Sequence, residues 1–473
     1  MRKVVAAVAA AAVLVVGYAA ADAADVVPGV LTTAPPWEEP APFPTVTLEP
    51  APGPAAVLPA LDDAAPTPAA SGLAAVTAPL LADRRLGGGA GVAVVDVLTG
   101  EVLLDDGAGE ARIPASTVKL LTTTAALAAL GEDTRLRTRT LLEAGAAGTG
   151  GSGTATVVLE GGGDVVLASG AGDPGAVVGR AGLGDLAADT AAALADREIT
   201  SVRLVLDDTL VSGPAVAPDW GPIDLGGGFV MPVAALAVDH GIVPGQARRA
   251  ADPGLAAARQ LASALAAAGV TVEGDVVRAP SGEGAQELAA VESATVGELV
   301  AHALQDSDND VAEILLRLVA VADGRPGDFE NGAAATLAQL AALGVDVTGV
   351  TMVDGSGLSE GNRVPPLTLA RLVALAADPA SPAAVTVAAG MPVAGLQGTL
   401  ADRFDAQDPA AGVLRAKTGT LLTVVALAGT VLDADGRLLA LAVVADELGV
   451  GGVGAARSAV DDWTARLAAC GCA

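Results

Sequence analysis

Lysine is almost missing from this chain: three occur among 473 residues, against 23 arginines. Histidine and cysteine occur twice each, asparagine three times, and aromatic side chains make up 2% of the total. Each shortage excludes something. The two cysteines, Cys470 and Cys472, sit in a terminal "CGC", read equally as a tight disulfide or as two free thiols, and neither version suggests catalysis. The two histidines, His240 and His302, have no paired-ligand spacing. They give poor support for metal catalysis and are most simply structural. Few aromatics mean a core of small aliphatic side chains. The shortage of positive charge, 26 Lys+Arg against 55 Asp+Glu for a net charge of −29, repels phosphate backbones and anionic membrane surfaces, which argues against nucleic acid as a partner.

Long apolar runs are equally scarce. The exception is the N-terminus, where two basic residues precede an apolar run from Val4 to Val16 and an Ala-x-Ala site at Ala21–Ala23. Residues 1–24 therefore read as a secretory signal or an uncleaved N-terminal anchor, which puts the rest of the chain outside the cytoplasm. Residues 25–78 are rich in proline and alanine and read as an extended tether.

Beyond the tether the chain is regularly patterned. "GVAVVDVLTGEVLLDDG" gives a hairpin around Thr99-Gly100, and Thr117–Leu130 has helical composition with Gly131 as its stop. From 145 to 287 the glycine-rich turns, short strands and one helix around Leu255–Ala268 suggest an inserted unit. Helical patterning returns at Thr295–Leu304 and Asp310–Ala322. A second hairpin around "DADGR" and a helix over Gly454–Ala469 close the chain. Residues 79–144 and 288–473 then form one α+β domain whose first and last segments share an antiparallel sheet.

One of the scarce lysines, Lys119, stands three residues after Ser116 at the start of a helix, on the same face. A serine hydroxyl is a weak nucleophile until a neighbouring base takes its proton. An amine can be that base only when burial or a second cation keeps it neutral; arginine never can. If Ser116 opens the helix, its N–H is also among the unpaired donors able to stabilise an oxyanion. The second non-leader lysine, Lys417, opens "KTGT" at the start of a strand. There Gly419 lets a peptide backbone approach, and Thr418 and Thr420 offer hydroxyls to a carboxylate beside the Lys417 charge. Between them lies Ser307-Asp308-Asn309, just before a helix that Asp308 or Ser307 can also cap. The glycine runs "LGGGAG" and "GTGGSGT" fit neither nucleotide fingerprint, because the first precedes its strand and the residues before Lys119 and Lys417 are not glycine.

Ser-x-x-Lys, Ser-x-Asn and Lys-Thr-Gly in that order resemble the penicillin-binding proteins and serine β-lactamases. "GGGD", "DDTLVSGP", "PVAALAVDHG", "DGSGLSEGNRV" and "MPVAGLQGTL" with the following "RF" are similar to one branch, the D-alanyl-D-alanine carboxypeptidase/endopeptidases with a large insertion. Two departures stand out: Val165 follows "GGGD" where proline is expected, and "SEGNRV" lacks a basic-acidic pair. The resemblance implies an antiparallel sheet with helices on both sides, carrying a large β-rich or mixed insertion. It implies a serine D,D-peptidase that cleaves peptidoglycan stem peptides, is acylated by β-lactams, and needs no metal or cofactor. In that scheme Ser116 is the nucleophile, Lys119 its base, and Ser307 the proton relay in contact with Lys417. Asn309 orients the substrate amide, and Lys417, Thr418 and Thr420 hold the terminal carboxylate. The Ser116 and Thr420 N–H groups form the oxyanion hole. Between Ser307 and Lys417 there is no Glu-x-x-Leu-Asn carrying a deacylating glutamate, so penicillin is expected to trap the protein. The competing readings are a β-lactamase or esterase on the same scaffold, or a non-catalytic wall-binding relative.

Overall fold

Strands from the two ends of the chain meet in the computed structural model, which describes residues 2–24, 26–27, 29–31, 64–144, 154–243, 248–378 and 381–473. The chain divides into two units, Met1–Ala60 and Leu61–Ala473. In the first, Arg2–Ala23 is a helix with exposed valines and Leu14, long and apolar enough to cross a membrane.

In the second unit, Gly91–Asp96 and Val102–Asp106 pair as the expected hairpin, and Gly91–Asp96 joins Leu438–Ala445 antiparallel. Val424–Leu432 and Leu414–Leu421 complete a five-stranded sheet, with Leu414–Leu421 at one edge. Alternate side chains of a strand face opposite sides, and the composition uses this directly. Val425, Leu427, Leu441 and Val443 face the C-terminal helix Val453–Ala468. Ala426, Ala428, Ala440 and Ala442 face the other side, where the helices Lys119–Leu130, Asn309–Ala322 and Pro366–Ala376 lie. An alanine-lined face lets a helix approach the sheet closely, which is how a core nearly free of aromatics is filled.

Three features differ from the expectations. The tether expected to reach residue 78 is a helix from Ala70 to Leu81. It buries Leu73 and Leu80 against the C-terminal helix, and Thr77 accepts a hydrogen bond from Trp463 Nε1 at 3.2 Å. Its alanines and Pro79 hide it in a proline- and alanine-rich stretch. Most of the remaining tether, including 32–63, lies outside the described residues.

The second difference is the extent of the other sheet. Its strands Ala155–Glu160 and Ser201–Asp207 lie in the expected insertion, but Arg135–Leu142 lies before it and Gln286–Thr295 spans its far boundary. The boundaries drawn at 145 and 287 thus fall beside and within paired strands, because long-range pairing leaves no local mark. The third is a helix over Leu183–Ala195, unread in the sequence, which packs on this sheet with Pro253–Ala267; Ala155–Glu160 and Ser201–Asp207 run parallel.

Elsewhere the readings hold closely. Gly131, at φ +84°, ends Lys119–Leu130, and Thr295 caps Val296–Gln305 with Glu298 reaching back to the Thr295 N–H. Cys470 and Cys472 are paired with each other.

Because Leu73 is fully buried between the two helices, Leu73→Ala should lower stability by about 3 kcal/mol. A urea titration checks this, and an unchanged midpoint would mean that Ala70–Leu81 is only a tether.

Candidate active site

The nucleophile candidate sits on a strained turn. Ala115 has φ +47°, and Ala115–Val118 form a 3₁₀ turn that runs straight into Lys119–Leu130. Thr117 secures the entry by donating its hydroxyl to the Pro114 carbonyl at 2.7 Å. Two glycines press on this turn from either side. A Cβ on Gly357 (φ +86°) would lie 2.0 Å from the Ala115 carbonyl, and one on Gly419 would lie 2.7 Å from the Pro114 carbonyl. Both positions therefore need glycine for close approach, not only for backbone freedom.

Lys119 is fully buried one helical turn on. Its Nζ reaches Ser116 Oγ at 3.1 Å, Asn309 Oδ1 at 2.6 Å and the Ser356 carbonyl at 2.7 Å. The last two can only accept. A neutral amine would direct its two N–H bonds at them and leave its lone pair facing the Ser116 hydroxyl. Burial pulls the Lys119 ammonium down to about 8, with Glu313, Asp354, Asp308 and Asp310 opposing from around it. Glu313 is itself pushed up to about 8, by burial first and Asp354 second, while accepting from the Gly355 and Ser356 N–H groups.

Ser307 occupies the turn between Val296–Gln305 and Asn309–Ala322, at φ +58°. Its hydroxyl accepts from Lys417 Nζ at 3.0 Å, and Lys417 also donates to the Thr418 carbonyl at 2.8 Å. Lys417 is fully buried; burial and then the charge of Lys119 hold its ammonium well below the usual range. Asp308 takes the helix-capping role, accepting from the Val311 N–H at 3.0 Å. Asn309 is held at both ends of its amide, by Lys119 and by the Phe229 carbonyl, to which Nδ2 donates at 2.9 Å.

All eight residues singled out in the sequence, Ser116, Lys119, Ser307, Asn309, Lys417, Thr418, Gly419 and Thr420, thus meet around one place. A cleft of about 350 Å³ opens there, lined by Ser116, Ser307, Thr399, Thr418, Thr420, Arg403 and Arg457. Thr399 and Thr418 share a hydrogen bond of 2.9 Å between their hydroxyls, and Arg403 is paired with Asp461. Sequence reasoning singled out neither Arg457 nor Thr399, although Thr399 and Arg403 lie within the quoted "GTL…RF" stretch. The Asp354–Gly357 turn, within the quoted "DGSGLSEGNRV", also reaches the site, because the Ser356 carbonyl binds Lys119 directly. Asp354 anchors that turn, accepting from Trp220 Nε1, the Gly357 and Ser359 N–H groups and Asn362 Nδ2. Thr122, Thr123 and Thr124 are buried packing residues that satisfy their hydroxyls on backbone carbonyls. His240 and His302 are not isolated: both face Asp308, immediately after Ser307.

Known proteins resemble this chain in sequence and in fold. The family model of the D-Ala-D-Ala carboxypeptidase 3 (S13) family matches residues 73–254 and 244–467. Carboxypeptidase DacB of Mycolicibacterium smegmatis is 40% identical over 436 residues, covering 90% of each chain. The D-alanyl-D-alanine carboxypeptidase of an Actinomadura species is 30% identical over 440 residues, 76% of this chain and 78% of its own. Among solved structures, penicillin binding protein 4 of Haemophilus influenzae superposes with a TM-score of 0.69 at 22% identity. That superposition covers 84% of this chain and 98% of the other, which shows the penicillin-binding protein fold. With its fold, its residues and its relatives in agreement, the chain belongs to the D-Ala-D-Ala carboxypeptidase 3 (S13) family.

Proposed function

We propose that this protein is a serine D,D-peptidase that hydrolyses D-alanyl-D-alanine ends or D-amino-acid cross-links of peptidoglycan stem peptides through an acyl-enzyme on Ser116. The observation that carries this reading is the buried Lys119 amine, 3.1 Å from Ser116 Oγ and tied by two obligate acceptors.

The substrate would lie along the edge strand Leu414–Leu421, with its terminal carboxylate between Thr418, Thr420 and Lys417. A bound carboxylate supplies the counter-charge that Lys417 lacks among its own hydrogen-bond partners. Ser116 Oγ attacks the carbonyl of the penultimate D-alanine while its proton passes to neutral Lys119. The Ser116 and Thr420 N–H groups receive the developing oxyanion. Ser307, bonded to Lys417, returns a proton to the departing amine as the C–N bond breaks. Water then attacks the ester and frees Ser116. Asn309 acts chiefly by fixing Lys119, since both ends of its amide are engaged. Penicillin presents a similar acylating carbonyl and carboxylate, and would leave a stable adduct. Such a substrate lies outside the cytoplasm, in keeping with the apolar N-terminal helix Arg2–Ala23 as a signal or anchor.

Three outcomes are expected. Ser116→Ala should abolish both covalent labelling by a fluorescent penicillin and release of D-alanine from defined muropeptides; retained labelling would displace Ser116 from its role, and rapid penicillin turnover by the wild type would favour a β-lactamase. Because burial sets the Lys119 ammonium near 8, the neutral base is the minority form below that pH. The acylation rate should climb about tenfold per pH unit and level off above it, and a stopped-flow pH series that stays flat from 6 to about 8 would rule Lys119 out as the base. Gly419→Ala should slow acylation about 100-fold by pushing the strand away from the Ser116 turn, measured by the time course of penicillin labelling.

A further inference from the structure

The only two histidines of the chain, 62 positions apart, converge on one carboxylate. We propose that His240, His302 and Asp308 form a binding site for a divalent transition-metal ion, zinc by its ligand chemistry, which clamps the turn carrying Ser307. Zinc binds imidazole nitrogen and carboxylate oxygen at about 2.0–2.2 Å, so ligand atoms at tetrahedral corners stand about 3.3–3.5 Å apart. Here His302 Nε2 is 3.0 Å and His240 Nδ1 is 3.6 Å from Asp308 Oδ2. One ligand atom from each of the three residues lies within 4.8 Å of the others. An ion could enter with small side-chain adjustments.

The surroundings suit a metal. The other ring nitrogen of His302, Nδ1, lies 2.8 Å from Asp306 Oδ2. A carboxylate in that place fixes the tautomer that presents Nε2 and makes the ring a better ligand. Asp308 uses Oδ1 to cap the Val311 N–H, leaving Oδ2 toward the histidines. Asp310, which faces His240 Nδ1 at 3.2 Å, is already engaged by Arg249 and the Met231 N–H, so it is not counted among the ligands. The His₂Asp set carries one negative charge when both imidazoles are neutral, and it favours zinc over magnesium or calcium, which prefer all-oxygen shells. The side chains of His240, His302 and Asp308 are 21%, 16% and 8% exposed, enough for entry from solvent and for water in the fourth position.

The clamp joins three segments: the turn at Asp239–Gly241, the end of Val296–Gln305 and the Ser307 turn. Asp239, His240 and Ser307 all have φ between +48° and +58°, conformations that persist where the surroundings over-determine them. A metal at this point would hold Ser307 and Asn309 from the residue between them. It takes no part in the chemical steps, and its binding can be read without any peptidase assay.

The full chain, stripped with a chelator and dialysed, should take up about one equivalent of Zn²⁺ in a titration against a chromophoric competitor. With Co²⁺ it should show the intense visible bands of a tetrahedral site. His240→Ala and His302→Ala should each weaken binding at least about 100-fold, and Asp306→Asn about tenfold through the outer hydrogen bond. Far-UV circular dichroism of each variant serves as the check on folding. If a variant does not fold, the wild-type stoichiometry and cobalt spectrum decide. A wild type that takes up no stoichiometric zinc, or folded histidine variants that bind it undiminished, would overturn the site and leave the histidines as plain ion-pair partners of Asp308.

Discussion

Enclosing an ammonium ion without a carboxylate in contact costs on the order of several kcal/mol, and this molecule does so twice, at Lys119 and Lys417. Both amines are offered neutral acceptors instead: a serine hydroxyl, an amide oxygen and a carbonyl for one, a serine hydroxyl and a carbonyl for the other. Much of the surrounding structure serves that arrangement. Lys119–Leu127 are buried without interruption, and the Asp354–Gly357 turn is pressed against the Ala115–Ser116 turn so that a carbonyl can reach Nζ. Glu313, the acid that acts most strongly on Lys119, is turned onto backbone N–H groups and pushed toward its neutral form. A neutral Glu313 withholds the charge that would make Lys119 a conventional cation.

The candidate site was legible in the sequence because it gathers residues that are rare there. Two lysines outside the N-terminal helix and three asparagines leave few ways to assemble a site, and motif order did the rest. Four strands of the first sheet were legible for a different reason: each is a local pattern closed by a local turn, whereas the edge strand begins at Leu414, three residues before the Lys417 where a strand was expected to start. What escaped had no local signature. The helix Ala70–Leu81 is specified by what it packs on, and its own composition reads as linker. Strand Arg135–Leu142 pairs with Gln286–Thr295 across about 150 residues of chain, so no composition shift could mark it as part of the second sheet. The Ser356 carbonyl is a backbone atom, invisible to any search for reactive side chains. His240 and His302 lack ligand spacing because the fold, not the spacing, brings them together.

The same logic explains how so few large side chains suffice. Helices on the alanine face of the first sheet come close because nothing protrudes, and the largest enclosed side chains include Trp463, Arg317 and the two lysines. Arg317 shows how a long charged group is accommodated: its guanidinium donates to the Ser212, Pro214 and Gly327 carbonyls and lies 3.9 Å over the Phe329 ring. Trp220 stands edge-on to the same ring while donating to Asp354. A few large residues thus link the helical layer to the turn behind Lys119, and alanine fills the rest.

The edge strand Leu414–Leu421 is not open along its whole length. Ala394 donates to the Leu414 carbonyl, Ala416 donates to the Pro392 carbonyl, and Arg415 fastens the same segment through the Ala389 and Met391 carbonyls. Among the described residues, the stretch of this strand from Lys417 onward is the part left to pair. A partner that adds to a sheet edge gains with every residue it aligns, so the covered half works as a ruler. It leaves the short stretch 417–421 open as an edge, which limits pairing with a long strand of another folded protein.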